Sequence, residues 1–137
     1  VQAMGQQVVK GAPTDVFAYD AETGELQWTF DGPRQKGDFQ AGDQEGWATR
    51  TAVTGRGMCL PNPWSAPTID ASGTVYIGNQ DGVFFALRDA NGDGRVFGPD
   101  EVSAYDTGAT FSGSAGPSIA PGMVVATSCD SMYVFRD

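Results

Sequence analysis

Residues 65–87 return about fifty positions later, and that recurrence constrains the fold more than any other feature of the chain. Ser65-Ala66-Pro67-Thr68-Ile69 lines up with Ala115-Gly116-Pro117-Ser118-Ile119 at an offset of 50 (115 − 65). Thr74-Val75-Tyr76-Ile77-Gly78 then lines up with Met123-Val124-Val125-Ala126-Thr127 at 49 (123 − 74), and at the same 49 Asp81-Gly82-Val83-Phe84-Phe85 meets Asp130-Ser131-Met132-Tyr133-Val134. Val16-Phe17-Ala18-Tyr19 repeats Phe84-Phe85-Ala86-Leu87. A period of this length marks a supersecondary unit that buries its apolar face only by stacking on its neighbours. Three copies of one four-strand unit are present, the first and last incomplete.

Within each copy, apolar and polar residues alternate with period two between Gly, Asp and Pro, the pattern of short half-buried strands. The alternation predicts strands at 8–10, 16–19, 26–30, 66–69, 74–78, 83–87, 102–105, 117–120, 123–127 and 132–135. No segment of ten or more residues has helical periodicity. With 19 Gly, 8 Pro and only 18% charged residues, the composition agrees with many strands joined by tight turns and excludes a helical bundle. The 137 residues, 40% of them apolar, suffice for one ordinary core and argue against disorder. The fold class is all-β.

The charge balance and the missing residue types remove whole classes of function. Eight basic against seventeen acidic residues leave a net charge of −9, which repels phosphate backbones and anionic lipid, so a nucleic-acid partner is not expected. No apolar run approaches the roughly 18 residues of a membrane-spanning helix, and direct membrane insertion is not expected. Histidine is absent, which removes Ser-His and Cys-His nucleophiles and His-ligated zinc. The first residue, Val1, suggests a processed chain or a piece of a longer one. Cys59 and Cys129 stand 70 residues apart (129 − 59), and their spacing allows either one long-range disulfide or two free thiols.

One segment carries the spacing of a cation site. Asp89, Asn91 and Asp93 stand at positions 1, 3 and 5 of a run in which Gly94 is sixth and Arg95 seventh, with Asp100 and Glu101 at 12 and 13. Ca²⁺ takes six to eight oxygens, and this spacing brings three side chains and the Arg95 carbonyl around one point. The flanks read as strands, so the expectation is a calcium-stapled hairpin whose protein ligands hold the loop, with an unoccupied Asn/Asp/Gly turn as the alternative. Residues 31–64 form the other unusual stretch, too long for an ordinary connection. It holds Trp47, Met58 and Trp64 among glycines, and four of the eight basic residues, Arg34, Lys36, Arg50 and Arg56. Such aromatics suit a partner-binding arm, or the loop merely covers one end of the sheets. Asp43 and Glu45 read as solvated charge. Phe111-Ser112-Gly113-Ser114-Ala115-Gly116 lacks the G-x-S-x-G order of a nucleophile elbow and reads as a glycine-rich entry to a strand.

DVFAYDAETGELQWTF (15–30) and SAPTIDASGTVYIGNQDGVFFAL (65–87) resemble the repeat of PQQ-like quinoprotein β-propellers. The resemblance covers about 100 residues and is most specific in the Ala-x-Asp-x-x-Thr-Gly-x-x-x-Trp string from Ala18 to Trp28. It implies propeller blades of strands A to D: a first blade at about 6–31, a second at about 65–106 and a third at about 113–137, with Tyr105 near the place that Trp28 holds in the first. It also implies that Cys59, before strand A of the second blade, and Cys129, in the B–C turn of the third, lie on one face of adjacent blades and form a disulfide.

Some relatives in that family are PQQ-dependent alcohol dehydrogenases, but their cofactor site cannot be carried over residue by residue. Cys59 and Cys129 are not adjacent, and three blades do not enclose an axis, so no catalytic residue, no bound PQQ and no enzymatic activity are expected. The expected function is a structural or interaction module, an accessory subunit whose open blade faces are covered by protein partners or by self-association. Calcium and a disulfide place it outside the cytosol, in the secreted space, a periplasm or an organelle lumen. The alternatives are a quinoprotein dehydrogenase fragment and a carbohydrate or surface-ligand module using Trp47 and Trp64.

Overall fold

The computed structural model describes residues 13–34, 64–111, 116–129 and 131–136, and among them it contains three antiparallel sheets and no helix. Sheet 1 pairs β1 (Val16–Tyr19) with β2 (Leu26–Phe30). Sheet 2 runs β3 (Thr68–Ile69), β4 (Val75–Gly78), β5 (Val83–Leu87) and β6 (Val102–Asp106) in chain order, and sheet 3 runs β7 (Ser118–Ala120), β8 (Met123–Thr127) and β9 (Met132–Arg136). Each strand matches an alternating segment of the sequence to within two residues at either end. The strand expected at 8–10 lies outside the described residues.

The turns form where an aspartate can gather backbone donors. Asp70 Oδ1 accepts from the N–H of Ser72 (2.8 Å) and Thr74 (3.0 Å) and from the Ser72 hydroxyl (2.7 Å), while the Tyr76 hydroxyl donates to Oδ2 (3.1 Å). Gly73, at φ +85°, completes that β3–β4 turn, a conformation that residues with a Cβ avoid. The Ser72 hydroxyl above all, with the Thr74 and Ser72 amides and the Tyr76 hydroxyl, holds the Asp70 carboxyl below its ordinary value of 3.8, while desolvation, second in size only to the Ser72 hydroxyl, opposes them. A depressed carboxyl contributes stability above its ordinary pKa and loses it as pH falls through the lower folded value. Asp70→Asn is therefore expected to flatten the acid limb of the unfolding curve below about pH 4; an unchanged limb in acid titration monitored by circular dichroism would count against it.

Sheet 2 is the centre of the packing because its two faces bury different side chains. Successive residues of a strand point to opposite faces. Val75, Ile77, Phe85 and Leu87 therefore form a cluster on one side with Phe30 of sheet 1 and Val96, and Val16, Trp28, Trp64, Val83 and Val102 pack against it. Leu87 is 0% exposed, a burial that contributes about 1.5–3 kcal/mol. On the other side Phe84 meets Phe111 and Ala126, flanked by Tyr76, Val124, Tyr133 and Phe135. The Phe84 and Phe135 rings stack with centroids 5.2 Å apart. Polar links cross both boundaries: Thr29 N–H donates to the Gly94 carbonyl and Val96 N–H to that of Thr29, and the Thr68 hydroxyl donates to the Pro117 carbonyl at 2.7 Å.

The ladders correct two details of the repeat. Gly78 pairs with Phe84, and its counterpart Thr127 pairs with Met132, so the third strand of the unit is offset by 48 (132 − 84) and not by 49. Met132 therefore takes the place of Phe84, Tyr133 that of Phe85, and Phe135 that of Leu87. The physical reason is a β8–β9 turn one residue shorter than the β4–β5 turn. A slip of one residue exchanges the faces of a strand, and this one turns Tyr133 and Phe135 towards sheet 2. The second correction concerns Tyr105. It pairs with Phe84 as Phe30 pairs with Val16, while Ser103 stands opposite Ala86 where Trp28 stands opposite Ala18. Tyr105 thus occupies the position of Phe30, and its ring meets Phe135 edge-on at 5.5 Å.

Candidate functional site

The connection between the third and fourth strands of the unit differs between sheets 1 and 2. In sheet 1 it is a short turn in which Asp20 Oδ1 accepts from the N–H of Glu22 (2.9 Å) and Thr23 (2.7 Å). In sheet 2 the same connection, residues 88–101, is folded around two carboxylates. Asp89 accepts the N–H groups of Gly92 (2.8 Å) and Asp93 (3.2 Å) on Oδ1 and that of Gly94 (3.0 Å) on Oδ2. Asn91 Oδ1 accepts from Asp93 N–H and Asp93 Oδ1 from Arg95 N–H, each at 2.8 Å. Gly92 and Gly94 supply the positive φ values, +73° and +83°, that this coil requires. Val96 is then buried against β2, which anchors the loop to sheet 1.

Glu101 closes the loop from the other side. It is 6% exposed, and its Oε1 accepts from Ala90 N–H (3.1 Å) and Asn91 N–H (3.2 Å) while Oε2 accepts from Phe97 N–H (3.0 Å). The oxygen-only set of Asp89, Asn91, Asp93 and the Arg95 carbonyl has the chemistry of a hard-cation site. Among the described residues, however, no group of three or more acidic side chains gathers closely enough to hold an ion, so such a site would depend on the Asn91 amide and the Arg95 carbonyl. Asp100 precedes Glu101 at the end of the loop. The motif, read from the sequence as a ligand set, missed this second role of Glu101 as acceptor for three main-chain donors. Beside the loop lies a groove lined by Phe30, Arg95, Val96, Phe97 and Val102. Phe97 stands 84% exposed at its edge, and Arg95 pairs with Asp31 at 2.9 Å in full solvent, a contact that adds little.

Trp64, expected either in a partner-binding arm or in a loop covering one end of the sheets, is half-buried between sheets 1 and 2. Its indole N–H donates to the Thr14 carbonyl at 2.8 Å, and its ring meets Phe85 at 5.6 Å and Phe30 at 6.5 Å. It locks the start of sheet 2 onto sheet 1, a use suited to a large ring whose one polar atom finds a carbonyl. Gly32 permits the approach: a Cβ there would lie 2.1 Å from the Thr14 carbonyl oxygen and 2.9 Å from the Trp64 ring. Trp47, Met58, Cys59, Asp43, Glu45, Lys36, Arg50 and Arg56 lie outside the described residues. No described cysteine is free. Cys129 N–H donates to the Thr110 carbonyl at 2.9 Å, which puts the β8–β9 turn beside the link from β6 to β7.

Among the described residues, sheets 1 and 3 each expose apolar side chains. Phe17, Tyr19 and Leu26 are 52%, 60% and 51% exposed on the face of sheet 1 turned from sheet 2. Met132 and Val134, 67% and 45% exposed, lie on the outer face of sheet 3. Three open grooves among the described residues are lined by Arg136, by Arg95 and by no basic residue, respectively.

Residues 1–92 match a family model described as PQQ: glucose/ethanol/alcohol dehydrogenase, β-propeller domain. No curated protein matches the chain.

Proposed function

Because the chain belongs to the PQQ β-propeller domain family, its sheets being partial propeller blades, we propose that it is a non-catalytic interaction module whose open blade faces are covered by protein. The observation that carries this reading is the pair of exposed apolar end faces, Phe17-Tyr19-Leu26 and Met132-Val134, since blades are stable by stacking and large open apolar faces mark interaction sites. The test is turnover of an alcohol with an artificial electron acceptor, after addition of PQQ and calcium. No turnover is expected, and quinone-dependent turnover overturns the reading. The family match favours a second reading, a fragment of a quinoprotein dehydrogenase, for which stoichiometric quinone absorbance in the isolated protein is the signature.

Calcium in the 89–101 loop belongs to the same proposal, held by Asp89, Asn91, Asp93, the Arg95 carbonyl and Asp100 or Glu101. A metal that binds only the folded chain stabilises it by mass action. EDTA is therefore expected to lower Tm, and Asp93→Ala to abolish that response; an EDTA-insensitive melt of the unaltered protein removes calcium from the account. A Cys59–Cys129 disulfide is proposed with it, supported by the absence of a free thiol at Cys129 and by the contact of its turn with a blade-to-blade link. Closing that loop stabilises by about 4 kcal/mol in the chain-entropy model. Both features suit an extracytoplasmic location.

A further inference from the structure

We propose that the 88–101 loop carries a latent self-modification site, Asn91-Gly92 with Asp93-Gly94 beside it, and that the Asp89 carboxylate keeps both pairs from reacting. Asn91 is the chain's one asparagine followed by glycine, and Asp93 is one of three aspartates so followed, with Asp31 and Asp81. A glycine in that place has no side chain to hinder its main-chain nitrogen from reaching the preceding Cγ, the chemistry that makes asparagine thermolabile. At Asn91 the bond that forms joins Gly92 N to Cγ, and the bond that breaks is Cγ–Nδ2. Nδ2 leaves as ammonia with the proton of the Gly92 N–H, and a cyclic imide remains. Water then opens the imide, at Cγ to leave aspartate or at the main-chain carbonyl to leave isoaspartate, in which the backbone runs through Cβ and Cγ. At Asp93 the same attack expels water in place of ammonia, so the net result is isomerisation without change of mass.

Both attacking nitrogens are held by one side chain. Gly92 N–H donates to Asp89 Oδ1 at 2.8 Å and Gly94 N–H to Asp89 Oδ2 at 3.0 Å. Each nitrogen must lose its proton to attack, and a carboxylate at hydrogen-bond distance favours the protonated donor and repels the anion that would replace it. The carbons under attack are tied as well. Asn91 Oδ1 accepts from Asp93 N–H (2.8 Å), Asn91 Nδ2 donates to Asp93 Oδ2 (3.2 Å), and Asp93 Oδ1 accepts from Arg95 N–H (2.8 Å). Asn91, Gly92 and Asp93 are nevertheless exposed, so water and base reach the pair once the loop opens. Asp81-Gly82 supplies an internal contrast, because Gly82 N–H donates to the Asn79 main-chain carbonyl at 3.2 Å and does not depend on Asp89. Loss of ammonia makes the change at Asn91 permanent, and it puts a carboxylate opposite Asp93 Oδ2 where the encoded amide donated.

The test follows the unaltered chain and Asp89→Ala in mildly alkaline buffer with EDTA, which keeps any bound cation out of the comparison. Digestion and peptide mass spectrometry read deamidation at Asn91, and separation of the isomeric peptides reads isoaspartate at Asp93 and Asp81. Asp89→Ala is expected to lose Asn91 about tenfold faster than the unaltered chain, the rate factor of one hydrogen bond to a charged group. Isomerisation at Asp93 is expected to rise with it, while that at Asp81 keeps the unaltered rate. Equal loss of Asn91 in the two chains overturns the proposal, as does a folded unaltered chain that loses Asn91 as fast as the same chain in urea. If Asp81 accelerates too, the variant has opened as a whole, and Asp89→Asn decides. It keeps one acceptor oxygen for two sets of donors, so at least one of the two pairs is expected to speed up with Asp81 unchanged. No change at either pair, or acceleration at all three positions in both variants, overturns the proposal.

Discussion

Phe111→Ala is expected to destabilise the fold by about 3–5 kcal/mol, the range for removing a fully buried aromatic side chain. Phe111 is 1% exposed. Its ring lies 5.6 Å from that of Phe84 and 6.0 Å from that of Tyr133, so it fills the boundary between sheets 2 and 3. Gly78 is shaped to it: a Cβ there would lie 2.3 Å from Phe111 Cγ. The chain enters this position through Phe111 N–H donating to the Asn79 carbonyl at 3.0 Å, which the substitution leaves in place, so the loss is one of packing. The check is the urea midpoint compared with that of Phe17→Ala, whose ring is half in solvent and whose cost is expected to stay within about 0.5 kcal/mol. Equal midpoints for the two variants would show that Phe111 is not part of the core.

Glu101→Ala is expected to cost about 3 kcal/mol, because it strips the acceptor from the amides of Ala90, Asn91 and Phe97 at once, and an orphaned donor costs about 1–3 kcal/mol when water cannot reach it. Glu101→Gln keeps one carbonyl oxygen and is expected to lose about half as much. The loss should persist in EDTA, since these contacts need no metal. If chelation instead erased the difference between Glu101→Ala and the unaltered chain, the carboxylate would be acting through a bound cation and not through main-chain donors.

The strands were legible because the alternation of apolar residues and the punctuating glycines act locally. Val83 to Leu87 shows its two faces in the sequence, and the two clusters obey them. The one-residue slip in the third copy was hidden, since Asp130-Ser131 matches Asp81-Gly82 so well that the missing residue goes unnoticed until the ladder is seen. The packing of Trp64 was hidden for a different reason. Its neighbours are glycines, prolines and charges, and only the distant Thr14 carbonyl reveals that its indole is used internally. Phe111 opens a glycine-rich run and has no periodic partner, so its burial depends on a space left by Gly78, thirty-three positions away (111 − 78). The cation motif conveyed the loop but not the donors that compete for Glu101.

The unequal connections in sheets 1 and 2 have a consequence for how such a chain can change over generations. Asp20 and Asp89 begin equivalent connections, one a tight turn and the other a coil more than twice as long, yet Tyr19 pairs with Leu26 as Leu87 pairs with Val102, the shorter turn accompanied by a register shift between Ala18 and Tyr19. The ladder survives a change in what is spliced between its rungs. These points are the places where new loops could be inherited without renegotiating the stack, and where an engineer could insert a foreign segment at small expense to the blades.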